Sequence, residues 1–455
     1  MSPIVLAAAA LAIASWALLL GPMAVSNASR GGPVVSVAAL SAVTLLPIAP
    51  RLLDPEAFLS LIQTGEREIN GAARASLQAS TIAFTAIAVT AVVALLVNRR
   101  PPIPPPVWFA IAFASAISLS SIVAGTFDPV QLLFPGLILA SASCWATPRE
   151  TIIRAASAVF RIILLGSALV AIFDPARSYS DLTLANGGRF LGIPQLSGLT
   201  SNPNILGGIA AVALVLEFTR PLALKRLPWM LMAATVLLWC QSRNAWLMVI
   251  VALSIRALRR NTRERAFGIV AIAGVAFVAV LGSGGSSLFG LTGRNRVWTV
   301  SARLFESSPL IGSGSGSVRE AAEQAGIFWA GTAHNQVMQS LAEGGLVSGL
   351  IVVGFFVAAF RTSAASWRRG DWLPMALTAA VLVKGAFDVV LTASPEFLLL
   401  ISVFTAAATG DTIDRTAGAP RRGRTRAAPD PAAVSLGSAS DAADHWKTDS
   451  PSVMP

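Results

Sequence analysis

Residues 331–345 read GTAHNQVMQSLAEGG, and residues 346–360 directly after them read LVSGLIVVGFFVAAF. The first stretch is polar and contains His334, whereas the second has no charged side chain. A long apolar run is typical of a helix in the hydrocarbon core of a membrane, which about 20 residues cross. The junction of the two stretches therefore predicts the point where a polar loop enters a membrane-spanning helix.

Apolar runs of this kind recur along most of the 455 residues. Hydrophobic residues make up 54% of the chain and charged residues 13%, and the mean hydropathy is +0.68. This composition leaves too little polar surface for a water-soluble protein of such length. The runs also lack the strict alternation of barrel strands. We predict an all-α polytopic membrane protein of about 12–13 transmembrane helices, with a large outer-face loop of short helices.

The spans predicted from these runs are 3–25, 34–48, 80–97, 107–124, 132–145, 152–173, 205–218, 229–240, 245–255, 267–281, 346–360, 373–391 and 397–408. Several are shorter than a full crossing and need flanking residues to complete it. The first run has no basic segment before it and no clear cleavage site after it. We therefore interpret it as a retained span and not as a removed signal peptide.

Basic residues are concentrated in alternate connections between the runs, and the positive-inside rule assigns those connections to the cytoplasm. The loops at 174–203, 241–244 and 283–344 then lie on the outer face. The predicted parts are N-terminal transmembrane helices (1–282), a large extracytoplasmic loop with short helices (283–344), C-terminal transmembrane helices (345–409) and a disordered cytoplasmic tail (410–455). The tail has almost no large apolar side chains, so it cannot bury enough surface to offset its chain entropy.

The formal net charge of +11 follows from this topology. Nucleic-acid binding is disfavoured, because the basic residues are dispersed among short loops with no soluble domain to organise them. Cys144 and Cys240 both lie in apolar runs, where a thiol behaves as a small hydrophobe. The sequence has two histidines, His334 and His445, and no acidic cluster, so no metal site is predicted.

The outer loop predicts three short helices. The first covers 295–306 and is stopped by Pro309, and the second opens with a capping-box pattern at Ser317 and Glu320. Between them lie three glycines, at 312, 314 and 316. They predict a turn whose amides either satisfy the turn itself or approach an anion, and turn chemistry is the favoured interpretation. The third helix begins at His334 and is broken by two glycines before the next span.

The positive-inside rule disfavours arginines in loops of the outer face, so arginines that occur there need another explanation. Four stand out, namely Arg189, Arg243, Arg294 and Arg296. One interpretation is interfacial snorkelling, with the aliphatic stem in lipid and the head in water. The other is a phosphate site, because a planar guanidinium matches two phosphate oxygens.

Two interpretations of His334 also stand side by side. The residue either packs against the loop, or it acts as a general base, since ordinary imidazole has a pKa of about 6.5 and supplies a neutral proton acceptor. Among the charges inside predicted spans, Lys384 and Asp388 are four residues apart and predict an ion pair on one helix face. Arg161 has no local partner and faces an interior cavity or pairs with Asp388. Glu217 predicts an exposed cap or pair one turn from Arg220.

Several motifs occur in a fixed order between the apolar runs: GGRFLGIPQLSGLTSNPNILGG at 187–208, QSRNAWL at 241–247, TGRNRVW at 292–298, SPLIGSGSG at 308–316 and AHNQVMQSLAEGGLVSGL at 333–350. Together the set resembles the O-antigen ligase and O-antigen polymerase family of bacterial membrane glycosyltransferases. The resemblance covers roughly residues 186–360.

The resemblance implies transfer of a glycan from an undecaprenyl-diphosphate carrier to a saccharide or lipid-saccharide acceptor, on the outer face of the bacterial cytoplasmic membrane. His334 would deprotonate the acceptor hydroxyl. Arg189, Arg243 and Arg294 or Arg296 would bind the diphosphate. No cofactor, nucleotide sugar or metal is expected. The expected partners are the lipid-linked oligosaccharide donor, the glycan or glycolipid acceptor and membrane lipids.

Two other functions remain open at this point. A secondary transporter or lipid-linked glycan flippase would use Lys384, Asp388 and Arg161 as coupling elements, and it predicts internal repeats with broken spans. A membrane polymerase of the shape and division type would use an outer-loop carboxylate in place of His334.

Overall fold

The computed structural model describes residues 40–41, 76, 78–89, 103–143, 149–179, 193–200, 202–219, 223–258, 294–327, 330–392 and 394–418. Within them the protein is all-α, as predicted. A helical stretch, Gln78–Val89, comes first. The helices after it are α1 (Pro105–Val123), α2 (Leu133–Ala142), α3 (Arg149–Phe173), α4 (Pro203–Glu217), α5 (Leu227–Cys240), α6 (Arg243–Leu258), α7 (Arg294–Ser307), α8 (Ser317–Gln324), α9 (Gln336–Arg368), α10 (Leu373–Phe387) and α11 (Pro395–Gly418).

By length and composition, three of the described helices suit a membrane crossing, namely α1, α3 and α9. The shorter apolar helices include α4 and α10. Proline at the first or second position begins α1, α4, α5 and α10, where its missing amide hydrogen costs nothing. Asparagine caps two helix starts: Asn202 accepts from the Asn204 amide, and Asn335 accepts from the amides of Val337 and Met338.

A single apolar core joins most of these helices. Helix α9 packs against α1 and α10, helix α4 contacts α3, α5 and α6, and α6 contacts α10. Phe160, Phe355, Phe397 and Phe404 are fully buried in this core. Aromatic side chains of this size contribute large buried areas, so they fix the spacing of the helices around them.

The short helices before α9 have a small core of their own. It comprises Val297, Val318, Ala322, Ile327, Ala330, Ala333 and Ala342. Helix α7 packs against both α8 and α9. The predicted first loop helix is confirmed, since α7 covers its residues and buries Val297 and Ser301 on one side. The outer-loop sequence therefore folds as a small packed unit on the start of α9.

Most predicted spans within the described residues coincide with helices. Three boundaries differ clearly: α9 continues to Arg368, past the predicted 360; α10 ends at Phe387, short of the predicted 391; and α11 continues to Gly418, past the predicted start of the tail at 410. The break at 388 has a local cause, because Asp388 is extended and its side chain accepts from the Val389 amide. The spans at 3–25 and 267–281, most of the span at 34–48 and the tail beyond 418 lie outside the described residues.

A charge cluster lies where α3, α4 and α5 meet, and it corrects two predictions. Glu217 is 2% exposed. Its carboxylate accepts from Arg161 Nε at 2.8 Å and from Arg226 Nη2 at 2.8 Å. Arg161 thus pairs with Glu217 and not with Asp388, and Glu217 is buried and not exposed, while Arg220 lies outside the described residues. A buried carboxylate is tolerated here because two guanidinium groups satisfy it.

Two further contacts link connections that the sequence assigns to one side of the membrane. Arg149, at the start of α3, pairs with Asp371 between α9 and α10. Arg256, near the end of α6, lies over the rings of Phe218 and Trp372, with its guanidinium carbon 5.1 Å and 5.6 Å from the ring centres. The basic connections therefore meet at one end of the helix assembly, which fits the alternation used to predict topology.

The glycine turn before α8 is satisfied by the protein itself. The amide of Gly312 donates to Ser308, that of Gly314 to the Glu343 carbonyl, and that of Gly316 to the Glu343 carboxylate. All three glycines have φ between +83° and +85°. The turn interpretation is confirmed, and the anion interpretation is wrong, because these amides already have acceptors. The capping box is also wrong, since Gly316 is the N-cap and Ser317 donates to the Gly314 carbonyl.

Helix α9 contains a kink at Gly345, as the two glycines before the span predicted. Gly345 has φ 63° and ψ −164°, a combination that is essentially restricted to glycine. A Cβ at this position would lie 2.4 Å from the carbonyl carbon of Leu310. The kink therefore requires glycine for both backbone and packing reasons, and it joins the SPLIG turn to the start of the span.

We expect Gly345→Ala to lower the free energy of unfolding by at least about 1–3 kcal/mol, because it combines a forbidden backbone conformation with a backbone clash. The measurement is thermal unfolding of the purified protein in detergent. Gly331→Ala is the matched control, since a Cβ there meets no atom within 4 Å. Equal melting temperatures for the two variants would contradict this role of Gly345.

Candidate active site

His334 lies immediately before α9, not within it as predicted. It is one of two non-glycine residues with positive φ among those described, at 50°, and Asn335 takes the N-cap position. The preceding residue is fixed on both sides: the Ala333 amide donates to Gln339 Oε1 at 2.6 Å, and the Ala333 carbonyl accepts from Trp298 Nε1 at 2.9 Å. A left-handed residue held in this way indicates strain at a functional position.

Asp388 faces the imidazole. Nδ1 of His334 lies 3.7 Å from Oδ1 of Asp388, and the two side chains are 16% and 18% exposed. Burial raises the pKa of the Asp388 carboxyl, but the interaction with His334, the charge of Lys384 and the Val389 amide together lower it below its usual range. The Asp388 carboxylate therefore lies beside Nδ1 of the His334 imidazole.

Two of the four predicted arginines approach this pair. Arg243 is the first residue of α6 and Arg294 the first of α7. Burial lowers the pKa of the Arg294 guanidinium, the charge of Asp388 raises it, and the charge of Arg243 lowers it further. Arg294 thus lies close enough to both Asp388 and Arg243 for their charges to act on its guanidinium. Within the described part of the chain, neither arginine forms an ion pair.

The other two predicted arginines are placed differently. Arg296 is exposed, and its Nη2 lies 3.5 Å from the Ala325 carbonyl. Residues two apart on a helix do not share a face, so Arg296 points away from the side that Arg294 occupies. Arg189 lies outside the described residues. Ile193 is four residues after Arg189, and its carbonyl accepts a hydrogen bond from Gln241 Nε2. Gln241 is two residues before Arg243.

Lys384 does not form the predicted ion pair with Asp388. Its Nζ donates to Glu396 Oε1 at 2.8 Å, and both side chains are almost fully buried. The pair packs against Gly208 of α4, where a Cβ would lie 2.2 Å from Glu396 Oε1. The correction follows from the break at 388, because a residue outside the helix no longer shares a face with one four positions earlier.

The charges around His334 leave the site positive. Lys384 pairs with Glu396, and the guanidinium of Arg294 lies close enough to Asp388 and to Arg243 for both charges to act on it. Each of these arginines also begins a helix, where unpaired amide groups favour an anion. Among the described residues, no group of three or more His, Cys, Asp or Glu side chains is arranged to hold a metal ion. The arrangement suits an anion with at least two negative charges beside a proton acceptor.

Sequence reasoning missed the role of Asp388 opposite His334 and that of Gln336 beside it. Asp388 lay inside the predicted span at 373–391, so its position past a helix end was not expected. A possible signal was Pro395, a few residues after Asp388. A proline disfavours helical conformation in the residue before it, here Ser394, and so indicates a break in the helix. The distance along the chain between 334 and 388 hides their contact from any local pattern.

Residues 228–353 match the family model described as O-Antigen ligase. This segment is an O-antigen ligase domain. The match lies within the range over which the motifs showed the same resemblance, and that prediction is confirmed. No curated protein gives a significant match to the chain.

The O-antigen ligase domain contains three of the site residues, Arg243, Arg294 and His334. It runs from α5 to the spanning part of α9 and ends before Asp388, so the carboxylate comes from outside the matched segment, directly after α10. The match supports glycan transfer in polysaccharide biosynthesis by a membrane protein.

Proposed function

We propose that this protein transfers a glycan from an undecaprenyl-diphosphate carrier to a saccharide or lipid-saccharide acceptor, as a ligase or polymerase on the outer face of the cytoplasmic membrane. The observation that carries the proposal is the position of Arg294, on which the charges of both Asp388 and Arg243 act, near the His334–Asp388 pair. A diphosphate supplies the negative charge that two otherwise repelling guanidinium groups require.

In the proposed reaction, Nε2 of His334 accepts the proton of the acceptor hydroxyl as that oxygen attacks the anomeric carbon. The bond between the anomeric carbon and the phosphate oxygen breaks, and undecaprenyl diphosphate leaves with its electron pair. Arg243 and Arg294 stabilise the charge that grows on the leaving oxygen. Asp388 stabilises the imidazolium, and the imidazolium later loses its proton to water.

No metal is required in this proposal, because the leaving group is already good and the guanidinium groups neutralise it. Positioning and charge stabilisation then supply most of the rate. Arg189 is proposed as a third diphosphate ligand on the strength of the motif alone. Partners are the lipid-linked oligosaccharide donor, the acceptor glycan or glycolipid and the surrounding lipids.

The transporter or flippase alternative loses its main support among the described residues. Lys384 pairs with Glu396, and Arg161 pairs with Glu217. Both cations therefore have structural partners, and no observation on them favours coupled transport.

The test is reconstitution of the purified protein with an undecaprenyl-diphosphate oligosaccharide and a series of acceptors. We expect release of undecaprenyl diphosphate together with a larger acceptor, at a rate unchanged by EDTA, because no step uses a metal. Product formation is measured by mass spectrometry and carrier release by chromatography. Movement of the intact donor across the bilayer without release of the carrier would contradict glycan transfer and support the flippase.

A further inference from the structure

Gln336, the first residue of α9, joins two distant parts of the chain. Its side chain is 1% exposed. Oε1 accepts from the amides of Val390 and Leu391, at 2.9 Å and 2.8 Å, while Nε2 donates to Ser340 Oγ at 3.0 Å. Both polar atoms of the amide thus have partners, and the Ser340 contact fixes which end faces Val390.

The segment that Gln336 holds is the one that carries Asp388. Helix α10 ends at Phe387 and α11 begins at Pro395, so the amides after Asp388 need acceptors outside a helix. Asp388 is extended, with φ −157° and ψ 172°. The buried amides of Val390 and Leu391 depend on Gln336 Oε1, and leaving buried amides unpaired is destabilising.

Three consecutive residues contact the end of α10 and the segment after it. His334 faces Asp388, Asn335 donates from Nδ2 to the Ala386 carbonyl at 3.0 Å, and Gln336 holds the two amides beyond. A Cβ at Gly385 would lie 3.5 Å from Gln336 Cβ, so the Gly385 backbone packs against the Gln336 side chain. The hydrogen bonds of Asn335 and Gln336 therefore hold the chain on both sides of Asp388, and they set the distance between its carboxylate and the imidazole.

We propose that Gln336 is a positioning residue that sets the distance and orientation of the His334 imidazole relative to Asp388. Its effect on the rate rests on the proposed function, whereas its effect on the imidazole does not. Gln336 touches no substrate in this proposal. It acts by keeping the proton on Nδ1 of His334, directed at Asp388, so that Nε2 remains the acceptor.

The chain offers a direct measurement, because it has two histidines and His445 lies in the C-terminal tail. In a His445→Ala background without a histidine tag, His334 is the one histidine of the protein. Labelling with nitrogen-15 histidine then gives the protonation of each ring nitrogen by NMR, recorded about two pH units above the ordinary imidazole pKa. We expect Nδ1 protonated and Nε2 unprotonated in the parent protein.

In Gln336→Leu we expect the two ring nitrogens to move toward averaged shifts, which report mixed tautomers. We also expect kcat to fall by about 10²-fold and KM for the lipid-linked donor to change by less than about threefold, because ground-state binding is untouched. Ser340→Ala removes only the Nε2 partner. It should shift the ring nitrogens in the same direction by a smaller amount, and it keeps the test available if Gln336→Leu fails to fold.

Ser363→Ala is the matched control. It removes a buried hydrogen bond of 2.7 Å to Thr378, also between α9 and α10 but away from 386–391. A merely structural role for Gln336 predicts that both variants lower the melting temperature and leave the ring nitrogens unchanged, which would overturn the proposal. The NMR arm needs no substrate. Absence of transfer by the parent protein would refute the proposed function alone, whatever the ring nitrogens show.

Discussion

Replacement of His334 by Gln is expected to reduce glycan transfer by about 10²–10⁴-fold, the usual contribution of a general base. Glutamine keeps a polar side chain before α9 but cannot accept a proton from a hydroxyl group. The amide also cannot replace the imidazole opposite Asp388, which lies 3.7 Å from Nδ1. The expected consequence in cells is accumulation of lipid-linked glycan and loss of the mature surface polymer.

The measurement is the rate of carrier release by the purified variant, beside the two cellular readouts. His445→Ala is the matched control, since it removes the other histidine of the chain. Asp388→Asn is an informative companion, because the amide keeps the shape but favours the wrong imidazole tautomer. Full transfer by the His334 variants, with loss of function in Asp388→Asn, would refute the general base and favour the transporter.

Substitution of Arg294 by Lys is expected to reduce transfer by about 10²–10³-fold, the range reported for removing one donor to a developing negative charge. Lysine preserves the charge, but it lacks the planar fork that binds two phosphate oxygens together. Arg294 is the arginine of TGRNRVW whose charge environment includes both Asp388 and Arg243. The loss should therefore appear in kcat more than in protein stability.

Arg296→Lys is the discriminating comparison for this prediction. Arg296 is exposed on another face of α7, so we expect a loss of less than about tenfold. Arg303→Lys, also exposed on α7, controls for a general effect of charge substitution on this helix. A larger loss in Arg296→Lys than in Arg294→Lys would show that the diphosphate binds the opposite face and would refute the site described above.

The fold class was readable from the sequence because lipid imposes it. Within lipid, the backbone amides of an apolar run as long as the membrane is thick must be hydrogen-bonded inside the protein, which leaves helices and closed barrels. The runs of this chain lack the alternation of barrel strands. The outer-loop helices were also readable, since Val297 and Ser301 recur at helical spacing and Pro309 ends the pattern. These features depend on neighbours within a few residues, and such local rules hold before the chain folds.

The sequence also singled out candidate site residues, because polar groups are rare in this composition and the motifs occur in order; these are His334, Arg189, Arg243, Arg294 and Arg296. It did not identify their partners. Lys384 and Asp388 looked like an ion pair on one helix face, yet the helix ends between them at Phe387. The Asp388 carboxylate therefore faces His334, and Lys384 pairs with Glu396 instead.

The sequence by itself determined the helices, the polar loop and the types of residue available for chemistry, since these follow from hydrophobicity, helix periodicity and glycine geometry. Only the tertiary structure decided which charges meet: Arg161 with Glu217, Lys384 with Glu396, and Asp388 with His334. The physical reason is that buried charges must be paired, and the partner is chosen by how the helices pack and not by distance along the chain.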